Sequence, residues 1–126
     1  MGRKVILTKN APQPKGPYSQ AILYNGILFI SGQLPIDPKT DKPIRGTIEE
    51  ETTRVLENIK AIVTEAGGDM NNILKMNCYL ANMDDFQGFN HVYTSYFSSK
   101  SPARTTIQAA RLSLDARVEI DAVVAL

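Results

Sequence analysis

The sequence predicts an α+β fold, one mixed β-sheet with two helices packed on the same face, and three observations lead there. Residues 47–66 carry a capped helical periodicity, and residues 84–97 carry an aromatic stripe at helical spacing. Residues 73–81, 103–111 and 117–126 alternate with the period of two that strands require, and a turn-centred pair of apolar runs spans 21–30.

Taken in order, "AILYNGILFI" (21–30) places Asn25-Gly26 between two apolar runs, the pair that suits a type I′ turn, so a β-hairpin is expected. Residues 31–46, "SGQLPIDPKTDKPIRG", hold three prolines and two glycines and are expected to be an irregular connection. Thr47 followed by Glu50 makes a capping-box pattern, and Ile48, Thr52, Val55, Ile59, Ile62 and Ala66 recur at spacings of four and three. Gly67-Gly68 then offers a left-handed C-terminal cap. In 73–81 Leu74, Met76, Cys78 and Leu80 form one face, with Lys75, Asn77 and Tyr79 on the other. Asp84 and Asp85 suit the start of a second helix, whose inner face is Phe86, Phe89, Tyr93, Tyr96 and Phe97.

The last strand buries Val118, Ile120, Ala122, Val124 and Leu126, which turns Arg117, Glu119 and Asp121 to the opposite face. For 104–110 the more apolar set is Thr105, Ile107 and Ala109. Arg104, Thr106 and Gln108 are therefore expected on the same sheet face as Glu119. A face of that size in a chain of 126 residues is expected to pack on other subunits. Residues 1–126 suffice for one core and are short for two, so a single domain is expected.

Composition removes several classes. Hydrophobic residues are 43% and charged residues 21%, far from the profile of disorder. Fourteen Lys and Arg balance thirteen Asp and Glu without a basic stripe, which counts against general nucleic-acid binding. Apolar runs are too short for a membrane helix, the start lacks a secretory or lipidation signal, and a single cysteine excludes an internal disulfide; a cytoplasmic protein is expected, with a mitochondrial one also compatible. There is no HExxH, Cys-x-x-Cys, Walker loop, GxGxxG or GxSxG, so neither a protein-bound metal nor serine hydrolase chemistry is expected. His91 reads as a surface residue, Cys78 as an inert core thiol, and the aromatic stripe as packing.

Arg104 is the residue that could carry chemistry. Its planar fork binds a carboxylate through two parallel hydrogen bonds, which makes a small organic acid its natural ligand. Pattern alone favours the plainer reading, an arginine that snorkels to solvent or pairs with Glu119.

"GPYSQA" (16–21), "FISGQLP" (29–35), "FNHVY" (89–93), "PART" (102–105) and "RVEIDAV" (117–123) together resemble the reactive intermediate deaminase family, the RidA or YjgF type, over nearly the whole chain. The resemblance implies a chorismate-mutase-like fold, a homotrimer with sites in the clefts between subunits, and hydrolysis of 2-imino acids to 2-keto acids and ammonia without a cofactor. It implies that Arg104 clamps the substrate carboxylate, that Glu119 positions or activates water, and that Tyr18, Ser31, Gly32 and Asn90 line the cleft. Thr106 stands where the family often has cysteine, which removes any thiol-dependent role and leaves the backbone groups for substrate. Two other functions stay open: a non-catalytic trimer that binds or senses a small carboxylate, and a ribonuclease acting as a translation inhibitor, against which the balanced charge counts.

Overall fold

The computed structural model describes residues 2–97 and 99–126. Strands β1 (Lys4–Ile6), β2 (Ala21–Tyr24) and β3 (Ile27–Gln33) lead to a small ladder of β4 (Ile36–Asp37) and β5 (Lys42–Pro43). Helix α1 (Ile48–Glu65), β6 (Ile73–Leu80), α2 (Phe86–Ser95), β7 (Ala103–Gln108) and β8 (Val118–Ala125) follow. Six strands form one sheet in the order β1-β2-β3-β8-β6-β7. Among the described residues only β6 and β7 pair in parallel, with α2 in the connection between them; every other neighbour in the sheet is antiparallel. The mixed sheet and its two helices are as the sequence predicts.

Local chemistry explains the helix ends. Thr47 Oγ1 accepts the Glu50 N–H at 3.1 Å and Glu50 Oε1 accepts the Thr47 N–H at 2.9 Å, which closes the expected capping box; such a cap contributes about 1 kcal/mol. Gly67 ends the helix at φ +95°, and Gly68 N–H reaches Val63 O at 3.0 Å. In the β2–β3 turn Asn25 and Gly26 have φ of 50° and 77°, the positive values that a type I′ turn demands.

The core lies between the helices and one sheet face. Leu28, Met76, Leu80, Val118, Ile120 and Val124 meet Val55, Leu56, Ile59, Ile62 and Val63 of α1 and Phe89 of α2. Among the described residues no helix is long and apolar enough to cross a membrane.

Three local expectations fail. The connection at 31–46 is not irregular throughout: Ser31-Gly32-Gln33 continue β3 past a bulge, and Pro43 sits on a two-residue edge ladder where its missing N–H costs nothing. Leu74 is exposed because β6 is also bulged between Ile73 and Lys75, so Ile73 takes the buried position; Leu126 lies beyond β8 and is half-exposed. Strand β1 was not anticipated, since Lys4-Val5-Ile6 is too short to show alternation.

A fourth failure reaches the site. Arg104 pairs in register with Met76, and Met76 with Ala122, so all three point to the helix face. Glu119 pairs with Tyr79, and Tyr79 with Ile107, on the open face. Arg104 and Glu119 therefore do not share a face. The alternation of β7 misleads because its outward residue, Ile107, belongs to an open face that is itself partly apolar. Its inward residue is an arginine that α2 accommodates.

Candidate active site

Arg104 enters from β7, an edge strand, beneath α2. Its Cζ lies 4.6 Å from the ring centroid of Tyr93, 5.5 Å from Phe86 and 5.6 Å from Phe89. These rings fall at i, i+3 and i+7 of the helix, so one face of α2 presents all of them. Its NH1 donates to Asn90 Oδ1 at 2.8 Å. Among the described residues no carboxylate pairs with Arg104. Most of its five donors are thus uncommitted. Of the residues that the family resemblance puts in the cleft, Asn90 is the one that meets Arg104. The aromatic stripe, expected only to pack, also surrounds the guanidinium; the signal was its i, i+3, i+7 spacing around Asn90.

Thr106 lies two residues along the same inward face, paired in register with Cys78. Its hydroxyl is buried and unpartnered. Cys78 is buried, and desolvation pushes its thiol up to about 12, which keeps it protonated and inert.

A second group gathers on the open face. The β3 bulge brings Gly32 against the Glu119 side chain so closely that a Cβ there would overlap Oε2. Ser31 Oγ donates to Ser19 O at 2.6 Å, which ties the segment carrying Tyr18 to the end of β3. Buried Gln20 anchors that segment further, accepting Thr8 N–H at 2.8 Å and donating to Thr8 O at 3.0 Å. Tyr18 itself is 52% exposed. Beside Glu119, Asp121 accepts from Asn77 Nδ2 at 2.9 Å and from the Tyr79 hydroxyl at 3.1 Å. Partial burial, and then the negative charge of Asp121, hold the Glu119 carboxyl above its usual range.

The residues singled out in the sequence thus fall into two groups within one chain. Arg104, Asn90 and Thr106 lie on the helix side at the β7 edge, and Ser31, Gly32 and Glu119 lie on the open side near the sheet centre. His91 is exposed on α2. Among the described residues no group of three or more His, Cys, Asp or Glu side chains is placed to hold a metal ion.

The sequence model of a family described as endoribonuclease L-PSP matches residues 8–126. A RutC family protein of Pyrococcus horikoshii is 49% identical over 121 residues, 96% of each chain. A 2-iminobutanoate/2-iminopropanoate deaminase of Bos taurus is 44% identical, covering 96% of this chain and 88% of the relative. Among solved structures, a protein of the conserved Rid family from Yersinia pestis superposes with a TM-score of 0.97 at 40% identity, over 99% of this chain and all of the other. The E. coli protein TdcF, solved with bound serine, gives 0.93 at 35% identity over 98% of each. With that fold along its whole length, the chain belongs to the endoribonuclease L-PSP family, the RidA/YjgF or reactive intermediate deaminase type.

Proposed function

We propose that the protein hydrolyses small 2-imino acids to 2-keto acids and ammonia, in clefts formed between copies of the chain in a homotrimer. The observation that carries this reading is Arg104: a partly buried arginine with one donor spent on a neutral amide and, among the described residues, no acid paired with it. Its fork suits the substrate carboxylate, and the bovine relative named for this activity supports the substrate class.

Geometry then argues for more than one copy. A substrate's carboxylate carbon and its C2 are bonded neighbours about 1.5 Å apart. Within one chain Arg104 and Glu119 are separated by the intervening β6, about 10 Å across and about 10 Å along the strands, and they face opposite ways. One small molecule cannot meet both. Arg104 of one copy and Glu119 of a neighbour can converge if the open face of the neighbour packs near the β7 edge. That open face carries the material for an interface, since Val5, Ile22, Phe29 and Val123 lie in register across it, Val5 and Phe29 being more than half exposed or close to it.

In the proposed reaction the enamine that a dehydratase releases first tautomerises to the 2-imino acid. Glu119, as carboxylate, takes a proton from a water whose oxygen attacks C2, forming the C–O bond and moving the C=N electron pair onto nitrogen. Glu119 then returns the proton to nitrogen, giving a carbinolamine; it next takes the hydroxyl proton and passes it to the amine, so that the C–N bond breaks, the C=O forms from the oxygen lone pair and ammonia leaves. A carboxyl held above its usual range by burial is a stronger proton acceptor than an ordinary one, which suits it to take and return a proton. Asn90 holds Arg104, and Tyr18, Ser31, Gly32 and the backbone of Thr106 line the cleft. No cofactor is required, because an iminium is already electrophilic.

The test couples purified protein to a threonine dehydratase and follows keto-acid appearance. Native protein should accelerate it, and Arg104→Ala and Glu119→Gln should not. Co-refolding the two variants in equal amounts should restore up to about a quarter of native activity, since one in four interfaces then pairs an intact Arg104 with an intact Glu119. Keto-acid binding by calorimetry without any acceleration would replace the deaminase with a carboxylate-binding protein.

A further inference from the structure

The rings of α2 around Arg104 do more than fill the core. A guanidinium brought under a helix must recover interactions lost from water. An acid partner would provide them but would also consume the fork that a ligand needs. Here the recovery comes from three ring faces and one amide oxygen, none of which carries a charge. Tyr93 makes the closest approach at 4.6 Å, and it is 4% exposed. Its hydroxyl is buried with no hydrogen-bond partner, so what Tyr93 offers Arg104 is the face of its ring. The rings are themselves locked in a row: Phe86 to Phe89 at 6.2 Å, Phe89 to Tyr93 at 5.6 Å and Tyr93 to Phe97 at 5.1 Å, all tilted.

We infer that Tyr93, backed by Phe86 and Phe89, is a positioning residue for carboxylate recognition: its ring fixes the plane of the Arg104 fork while Asn90 fixes its rotation, leaving the remaining donors aimed at the ligand. The device selects a planar acceptor, since a fork held in one plane matches a carboxylate, and it requires arginine, since an ammonium has no face to stack. This inference rests on the reading of Arg104 as the carboxylate clamp.

The test compares Tyr93→Leu, Tyr93→Phe and Arg104→Ala by calorimetric binding of a 2-keto acid and by steady-state kinetics. Tyr93→Leu should raise Kd and KM between about twofold and thirtyfold, the range that a cation–π contact covers, with kcat little changed, because the clamp acts equally in ground and transition states. Tyr93→Phe, which keeps the ring, should restore native values. A native Kd in Tyr93→Leu overturns the inference. So does a fall in kcat at constant KM, the sign of a smaller folded fraction, and so does an equal loss in Tyr93→Phe, which would assign the effect to the hydroxyl. If Tyr93→Leu does not fold, the partly exposed Phe86→Leu carries the same expectation and the same refutation. Undiminished binding by Arg104→Ala would instead overturn the underlying reading of the clamp, a result distinct from failure of the ring alone.

Discussion

Replacing Gly32 by alanine would set a methyl carbon onto the carboxylate of Glu119, overlapping Oε2 and lying 3.1 Å from Cδ. The obstacle is the far end of a flexible side chain, so relief comes from rotating Glu119 and not from moving β3 or β8. A glutamate pushed off its rotamer costs about 0.5–1.5 kcal/mol. At about 4 °C of Tm per kcal/mol for a chain of this size, the loss is about 2–6 °C. The chemical consequence is larger, because a misplacement of about 1 Å at a reacting group costs on the order of 100-fold, or about 2.7 kcal/mol of barrier. Gly32→Ala should therefore lower kcat about 100-fold in the dehydratase-coupled assay, leave KM within about threefold because Arg104 is untouched, and melt within about 6 °C of native. A kcat within about threefold of native would refute the reasoning, as would a collapse of the fold.

Asp121→Asn removes a charge that helps to hold the Glu119 carboxyl high, after burial itself, so the acid limb of kcat/KM should move to lower pH; an unmoved limb would remove Asp121 from the account. A raised folded-state value also means that protonated Glu119 favours folding. Its contribution is full below the ordinary 4.5 and is lost as pH rises through the folded value, so as pH rises above 4.5 native stability should fall more than that of Glu119→Gln. Cys78, 1% exposed and with its thiol pushed to about 12 by burial, should react with a disulfide reagent only after denaturation; fast labelling of the native protein would contradict this. Phe29→Asp, in the apolar part of the open face, should yield a folded protein that sediments as a monomer and has lost turnover, and an active monomer would refute a site between copies.

What was legible in the sequence follows from how local its causes are. The capping box of α1, its glycine stop and the Asn25-Gly26 turn are each written within a few residues, and each forms as expected. The faces of β6 and β8 were legible because both strands lie inside the sheet, with the helices on one side and a partly polar surface on the other. The face of β7 was not. Its inward residues are Arg104 and Thr106 and its outward ones Thr105 and Ile107, so hydrophobicity points the wrong way. Only the parallel register with β6, set by a crossover that no local pattern encodes, fixes it. The two bulges at 30–33 and 73–75 were invisible for the same reason, yet one of them brings Gly32 against Glu119.

Arg104 and Arg117 show how one residue type is put to opposite uses. Arg117 precedes β8, and its side chain is consumed: Nε donates to Gly46 O at 2.9 Å and lies 3.5 Å from the buried Glu51, while NH1 lies 3.8 Å from Asp85. Glu51 also accepts the Arg117 backbone N–H at 2.9 Å, so this ion pair is a strut that fastens the start of β8 to α1. Removing one partner would leave the other charge poorly compensated, which is how such pairs specify structure. Arg104 is held instead by rings and an amide that leave its charge in place. A neutral cradle makes a cation available, whereas an acidic one spends it. That difference, and not the greater exposure of either side chain, is what supports the proposal of Arg104 as the carboxylate clamp.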